Sequence, residues 1–275
     1  MSHSSPSSDP VLPLRIGICG TGKVARAILE RWLQIPEKVQ VVWAWGRDIE
    51  KARETRNSIG GRWEVISDWT KNTKEVDWVV LAISDDAIND MTRTATDDTR
   101  FLHFSGCVSA TPSGAVFWPI QAIQAQTPTE WEELPCALEM NQPEDERLLS
   151  LLKTTAPKLK RMSEEERRCG HIAAVFAANF ANHTLAIAQS LIKKTDLDWN
   201  DFSPLVQNLQ LPALNSSSSA AQTGPALRGD SGTLQVHLDW LKNHAAEHAD
   251  VYKVLSRSIQ ELHNIEPLTF SHEKS

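Results

Sequence analysis

The sequence predicts an α/β protein: a doubly wound parallel sheet over roughly its first 160 residues, followed by an all-helical domain. Three observations predict this. Short apolar runs alternate with helical stretches from Val11 onward. The first of these runs meets a glycine turn, Gly20-Thr21-Gly22, that leads straight into a helix. After Met162 the strand pattern stops and only helical periodicity continues. Strands that read as unbroken apolar runs between helices belong to parallel sheets covered on both faces.

Residues 1–10 are rich in serine and proline and are expected to be disordered. The first strand is expected at Leu14–Cys19, and the first helix runs from Lys23 to about Leu33, before Pro36. Val39–Trp45 is a second strand, Lys51–Ile59 a helix, and Trp63–Ile66 a short third strand after Gly60-Gly61. Val76–Ile83 is the fourth strand, Asp86–Thr94 a helix, and Arg100–Phe104 the fifth strand. An edge strand is expected at Pro135–Leu138, and a helix at Glu144–Lys158.

Beyond that point Ser163 and Glu166 form the two ends of a capping box. The helix they open is expected to reach Lys193 or Lys194, about 45 Å at ~1.5 Å per residue. Gly170 is its weak point, and its many alanines allow close helix approach. Further helices are expected at Ser203–Asn215, Asp230–His248 and Asp250–His263. The domains expected are therefore 11–160 for dinucleotide binding and 161–275 for substrate binding and dimerisation.

Composition narrows the function classes. The net charge of −7 and the lack of a basic stripe argue against nucleic acid. Polar residues fill the N-terminus and no apolar run approaches a membrane span, so a cytoplasmic protein without membrane contact is expected. Four scattered cysteines without a C-x-x-C pair read as core residues of a reduced protein.

The glycine turn has the spacing of a dinucleotide site. Gly20 permits a tight turn, Gly22 lets backbone approach a pyrophosphate, and Ala25 is small enough for close helix–strand packing. Thr21, Gly22, Lys23 and Val24 would line the phosphates at the helix N-terminus. The second strand ends Trp45-Gly46-Arg47-Asp48, where the first residues past the strand choose the cofactor. Arg47 suits the 2′-phosphate of NADP; the competing reading is NAD, with Asp48 on the ribose. Ser84 and Asp85, after the fourth strand, are expected to skirt the cofactor. Ser105 and Gly106, after the fifth, are expected at its nicotinamide end. For all four, ordinary turn chemistry is the competing reading.

The long helix carries an unusual polar strip. With His171 at 0° and ~100° per residue, Asn182 falls at about 20°, Val175 at about 40° and Asn179 at about 80°. Arg167 and Arg168 lie near this arc one turn earlier. Such groups are costly to bury unless they bind something. Asn182 is therefore a candidate substrate contact. So is the segment Thr223-Gly224-Pro225 through Arg228-Gly229-Asp230, with Thr233 and His237 projecting from one face of the helix that Asp230 starts. The Arg-Gly-Asp triplet also spells an adhesion motif, a chance match without a secretory signal.

Arg167–Asn182 and Gln222–His237 resemble the C-terminal domain of a bacterial oxidoreductase family that pairs an NADP-binding domain of Rossmann type with a helical domain of unknown function. The N-terminal part is similar to pyrroline-carboxylate reductase and to ketopantoate and β-hydroxyacid dehydrogenases. The likeness runs from about Leu12 to Ile259. It implies a Rossmann domain followed by a helical dimerisation domain like the C-terminal one of 6-phosphogluconate dehydrogenase. It also places the family's helix histidine and asparagine on His171 and Asn179. Two departures stand out: His171 occupies the turn where β-hydroxyacid dehydrogenases carry a catalytic lysine, and Trp118 replaces a histidine that many members have before a proline.

The function expected is NADP(H)-dependent hydride transfer to or from a small carbonyl, imine or hydroxy-acid substrate by a homodimer. His171 would serve as proton donor, since an imidazole titrates near ~6.5. Asn179 would orient the substrate, and Arg228 could take a carboxylate in bidentate fashion. The alternative from another class is a dinucleotide-binding sensor or scaffold without turnover. A metal enzyme built on His171 and His237 lacks a tight ligand spacing, and no metal is expected.

Overall fold

The computed structural model describes residues 12–96, 98–125, 127–141, 143–208 and 218–266. Two compact units divide between Ala177 and Ala178.

The first unit is built on an eight-stranded sheet in the order β3-β2-β1-β4-β5-β6-β7-β8. Its strands are β1 Leu14–Cys19, β2 Val39–Trp45, β3 Glu64–Val65, β4 Trp78–Leu81, β5 Phe101–His103, β6 Ala115–Pro119, β7 Cys136–Met140 and β8 Leu159–Arg161. All neighbouring pairs are parallel except β6 with β7. The chain winds outward from β1 in both directions, so the topological switch point lies between β1 and β4. This is the Rossmann-type arrangement that the alternating pattern implies.

Both faces of the sheet are buried, which is why its strands read as continuous apolar runs. In β4, Trp78 and Val80 enter one core with Ile28, Leu29 and Trp32 of α1 (Lys23–Trp32) and Leu148, Leu149, Leu151 and Leu152 of α4 (Glu146–Thr155). Val79 and Leu81 point the other way, packing with Trp69 and with Ile88 of α3 (Asp85–Arg93). Between β2 and β3 lies α2, Ile49–Ser58, capped by the Asp48 carboxylate on the Lys51 N–H at 3.1 Å.

Several sequence expectations need correction. β6 and β8 were not foreseen, and Cys136–Met140 is an inner strand between them rather than an edge. β6 is short and closes on Trp118-Pro119, so neither length nor alternation marks it. Residues Trp69–Glu75, to which the sequence reading assigns no element, form a 3₁₀ segment.

At the end of the unit, α5 (Glu164–Ala174) opens with the expected capping box: Ser163 Oγ accepts from the Glu166 N–H and Glu166 reaches back to the Ser163 N–H. The expected long α-helix is not uniform. Val175–Phe180 is a π-helical segment, and α6 follows at Ala181–Ile192. A π-turn takes an extra residue, so the constant ~100° step that aligned His171, Asn179 and Asn182 does not hold through these six residues.

The second unit contains α6, the helical residues 203–208, α7 (Ser231–His244) and α8 (Ala249–Leu262). The helix expected at Ser203–Asn215 lies partly outside the described residues. The helix expected at Asp230–His248 stops at His244, a 3₁₀ turn covers Ala246–His248, and α8 starts one residue before Asp250. Leu241, Ala245 and Ala249 form its small core with Leu191 and Tyr252.

Candidate active site

The carboxyl ends of β1, β2, β4 and β5 carry the predicted cofactor residues of the first unit. Gly20 has φ +131°, and a Cβ there would overlap the Ala82 carbonyl oxygen that β4 brings alongside. Its N–H meanwhile donates to the Trp45 carbonyl at 2.8 Å. The turn therefore admits only glycine. Over Gly22 the space is open.

Gly22 also serves as N-cap of α1, with no side-chain cap and no acidic residue in the first turn. By contrast, α2, α4 and α5 are each capped by an Asp or Ser side chain. The first N–H groups of α1, with Lys23 at its start, are thus left for an anion. This donor set fits a dinucleotide pyrophosphate. Val24 is half-buried on the same turn. Arg47 is exposed past β2, whereas Asp48 is engaged as the α2 cap.

After β5 the chain folds into a tightly held loop, Phe104–Ser109. Ser105 Oγ donates to Asp85 Oδ2 at 2.8 Å and accepts from the N–H groups of Cys107 (3.1 Å) and Val108 (2.9 Å). Its hydroxyl proton is spent on Asp85, so Ser105 holds the loop rather than offering a proton. Cys107 Sγ also lies 3.2 Å from Asp85 Oδ2. Burial and then this carboxylate push the Cys107 thiol up. Ser84, predicted beside the cofactor, is exposed as the N-cap residue of α3, without a side-chain cap bond.

His103 sits beneath the loop, 1% exposed. The Ser105 N–H donates to its Nδ1 at 3.3 Å, so the ring proton lies on Nε2 and goes to the Ser109 carbonyl at 3.1 Å. Burial, outweighing the bond to Ser109, lowers its pKa.

Sequence reasoning missed the group that anchors the loop. Arg167, near the start of α5, is fully buried. Its Nε and one terminal nitrogen bind Glu139 Oε2 of β7 at 3.0 and 2.8 Å. The guanidinium also donates to the carbonyls of Ser105 (3.0 Å) and Val108 (2.8 Å). Arg168 adds bonds to the Cys107 carbonyl and Ser109 Oγ. Arginine's planar fork is what allows one side chain to span a carboxylate and two carbonyls. The Arg167-Arg168 pair was visible in the sequence, but its target depends on β7, whose extent was not.

His171 follows one turn later on α5. A Cβ on Gly106 would overlap the Cδ2 and Cγ atoms of its imidazole, so the ring lies directly on the Gly106 backbone. The structure thus brings His171 to the Ser105-Gly106 loop at the carboxyl end of β5. The Trp118 ring contacts it edge-on, with centroids 5.6 Å apart and planes at 80°.

The remaining predicted residues lie in the second unit. Asn179 and Asn182 are exposed. Gly224 (φ +107°) opens the turn Thr223-Gly224-Pro225, and Arg228 is exposed beyond it. The Asp230 carboxylate caps α7, accepting from the Thr233 N–H (3.1 Å) and hydroxyl (2.8 Å), bonds that lower its pKa. His237 Nδ1 lies 2.8 Å from the hydroxyl of Tyr252, the chain's single tyrosine. Among the described residues no three His, Cys, Asp or Glu side chains gather as metal ligands, and no helix is long and apolar enough to cross a membrane.

The doubly wound sheet, the glycine turn on an uncapped helix and the switch point between β1 and β4 define an oxidoreductase fold of the nicotinamide-dinucleotide-binding class. Comparison with known proteins points the same way. Residues 15–101 match the family model described as NADP oxidoreductase, coenzyme F420-dependent, and residues 134–259 match a domain of unknown function, DUF2520. Among solved structures, "putative NADP oxidoreductase BF3122" from Bacteroides fragilis is 26% identical with a TM-score of 0.74, covering 90% of this chain and 98% of that one. Protein TM1727 from Thermotoga maritima is 18% identical (TM-score 0.63, 90% and 98% covered). An imine reductase variant from Myxococcus stipitatus, in complex with NAD+, is 12% identical (TM-score 0.58, 91% and 94% covered); these last two share the fold. No curated protein sequence matches.

Proposed function

We propose that this chain is an NADPH-dependent reductase of a small carbonyl or imine compound, with His171 as proton donor. One observation carries the reading: the His171 imidazole lies on Gly106, at the carboxyl end of β5, where ligands of open α/β sheets bind. When bound, the reduced nicotinamide supplies the hydride, and the substrate oxygen or nitrogen then needs a proton. His171 gives that proton, while Arg167 and Ser105 keep the loop beneath it in place. Arg47 favours the 2′-phosphate, and the competing NAD reading rests on Asp48, whose Oδ1 caps α2 while Oδ2 stays open to a ribose hydroxyl.

Within the second unit, Asn179, Asn182, the Thr223–Pro225 turn, Arg228 and His237 are the candidate substrate contacts, on the strength of the sequence pattern. Asp230 contributes by fixing the start of α7. The exposed apolar side chains of the second unit (Val236, Trp240, Val254) fit cover by a second copy, giving a homodimer. Four free thiols suit a cytoplasmic setting.

The test couples binding to turnover. NADPH should bind more tightly than NADH, and Arg47→Ala should remove most of the difference. Oxidation of NADPH against a panel of cyclic imines and keto acids should find a substrate. With it, His171→Ala should lower kcat by about 10²–10⁴-fold, leaving NADPH affinity unchanged. Tight binding without turnover of any compound would favour the sensor reading.

A further inference from the structure

Gly170 is an expensive residue in mid-helix, about 1 kcal/mol worse than alanine, and neither the cofactor nor the proton-donor reading uses it. The structure shows what it fits. A Cβ at Gly170 would come 3.3 Å from Cζ3 and 3.6 Å from Cη2 of Trp118, tighter than most real contacts at the first atom. Trp118 is 7% exposed near the end of β6, packed with Val116 and Ala137 and flanked by Met162 and Ala174. The next residue after Gly170 is His171, whose ring meets the Trp118 edge on one side and the Gly106 backbone on another. Three choices therefore shape one slot: no side chain at 106, none at 170, and an indole at 118.

We infer that Trp118 is a positioning residue, which holds the His171 imidazole in a single orientation on Gly106. The inference rests on the reading of His171 as proton donor. A histidine on a helix otherwise samples several staggered rotamers. Filling the space beside it leaves one, and removes the cost of ordering the donor at each turnover. Trp118 touches neither cofactor nor reacting atoms in this role; it acts through His171.

The experiment follows the ring and the rate separately. Trp118→Leu keeps an apolar side chain in the β6 core but removes the indole edge; Trp118→Phe keeps an aromatic edge. In the wild type, the His171 ring carbon–proton NMR signals, assigned by loss in His171→Gln, should be sharp and displaced by the indole ring current. Trp118→Leu should move and broaden them and lower kcat about 10–100-fold, with the NADPH Kd unchanged. Trp118→Phe should restore much of both. Trp118→Leu combined with His171→Ala should be no slower than His171→Ala alone, because both act through one group. Gly170→Ala is a milder second variant: its methyl meets the indole at 3.3 Å, so it should displace the ring by a few tenths of an ångström, move the His171 signals and cost several-fold in kcat.

Unchanged imidazole signals in Trp118→Leu, or losses that multiply in the double variant, would overturn the inference while leaving His171 as donor. If His171→Ala turns over normally, the proton-donor reading falls and this inference with it.

Discussion

Replacing Arg167 by methionine tests the anchor on which the candidate site stands. The substitution keeps a long apolar stem but leaves the Glu139 carboxylate, 9% exposed, without its cation. It also orphans the carbonyls of Ser105 and Val108. Breaking one partner of a buried pair costs about 3–5 kcal/mol, mostly because the other charge stays buried. A domain is stable by only ~5–15 kcal/mol, so the loss is a large share.

Eight of the ten tryptophans lie before Ala177, which makes their fluorescence a probe of the first unit. With an m-value of about 2 kcal/mol per M in urea, the midpoint of that unit should fall by roughly 2 M. Adding Glu139→Gln removes the stranded charge, and the double variant should regain at least about 1 kcal/mol. NADPH affinity should drop in the single variant, since the loop loses two of its carbonyl ties. A midpoint within about 0.3 M of wild type, or strictly additive losses in the double variant, would refute the reasoning.

Other expectations follow from single groups. Gly20→Ala places a methyl against the Ala82 carbonyl at a positive φ, and should cost at least about 1–3 kcal/mol and abolish NADPH binding by calorimetry. His103 is held neutral with a depressed pKa, so between its folded-state value and ~6.5 the unfolded chain binds the extra proton. Its contribution is full above ~6.5 and is lost as pH falls through that window, by up to about 1.4 kcal/mol per pH unit. Urea midpoints from pH 8 to 5 should show this slope, and His103→Gln should flatten it. Burial pushes the Cys136 thiol up to about 12 and the Cys19 thiol also upward. Iodoacetamide at pH 8 should therefore spare both until the protein unfolds, and mass spectrometry would detect any earlier labelling.

Much of the fold was legible because its signals are local. Strand, glycine turn and helix from Leu14 to Trp32 follow from a few adjacent residues, and so does the capping box at Ser163. The apolar runs of β1, β2 and β4 required cover on both faces wherever they lay. What failed was short or contextual. β6 and β8 are only five and three residues long and gain their identity from β7 between them. The π-segment at Val175–Phe180 changes the helical step without a glycine or proline to announce it.

The sequence by itself thus determined the cofactor class, through Gly20, Gly22 and the strand–helix order around them, because a phosphate-binding turn is made by contiguous backbone. It also nominated His171. Only the tertiary structure decided what meets that imidazole, Gly106 from the end of β5 and Trp118 from β6, and that Arg167 reaches across to Glu139 of β7. Gly106, Trp118 and Glu139 lie far from α5 in the chain, and no periodicity links them to it. Their meeting depends on the order and register in which the strands pair, which is fixed by packing over the whole sheet.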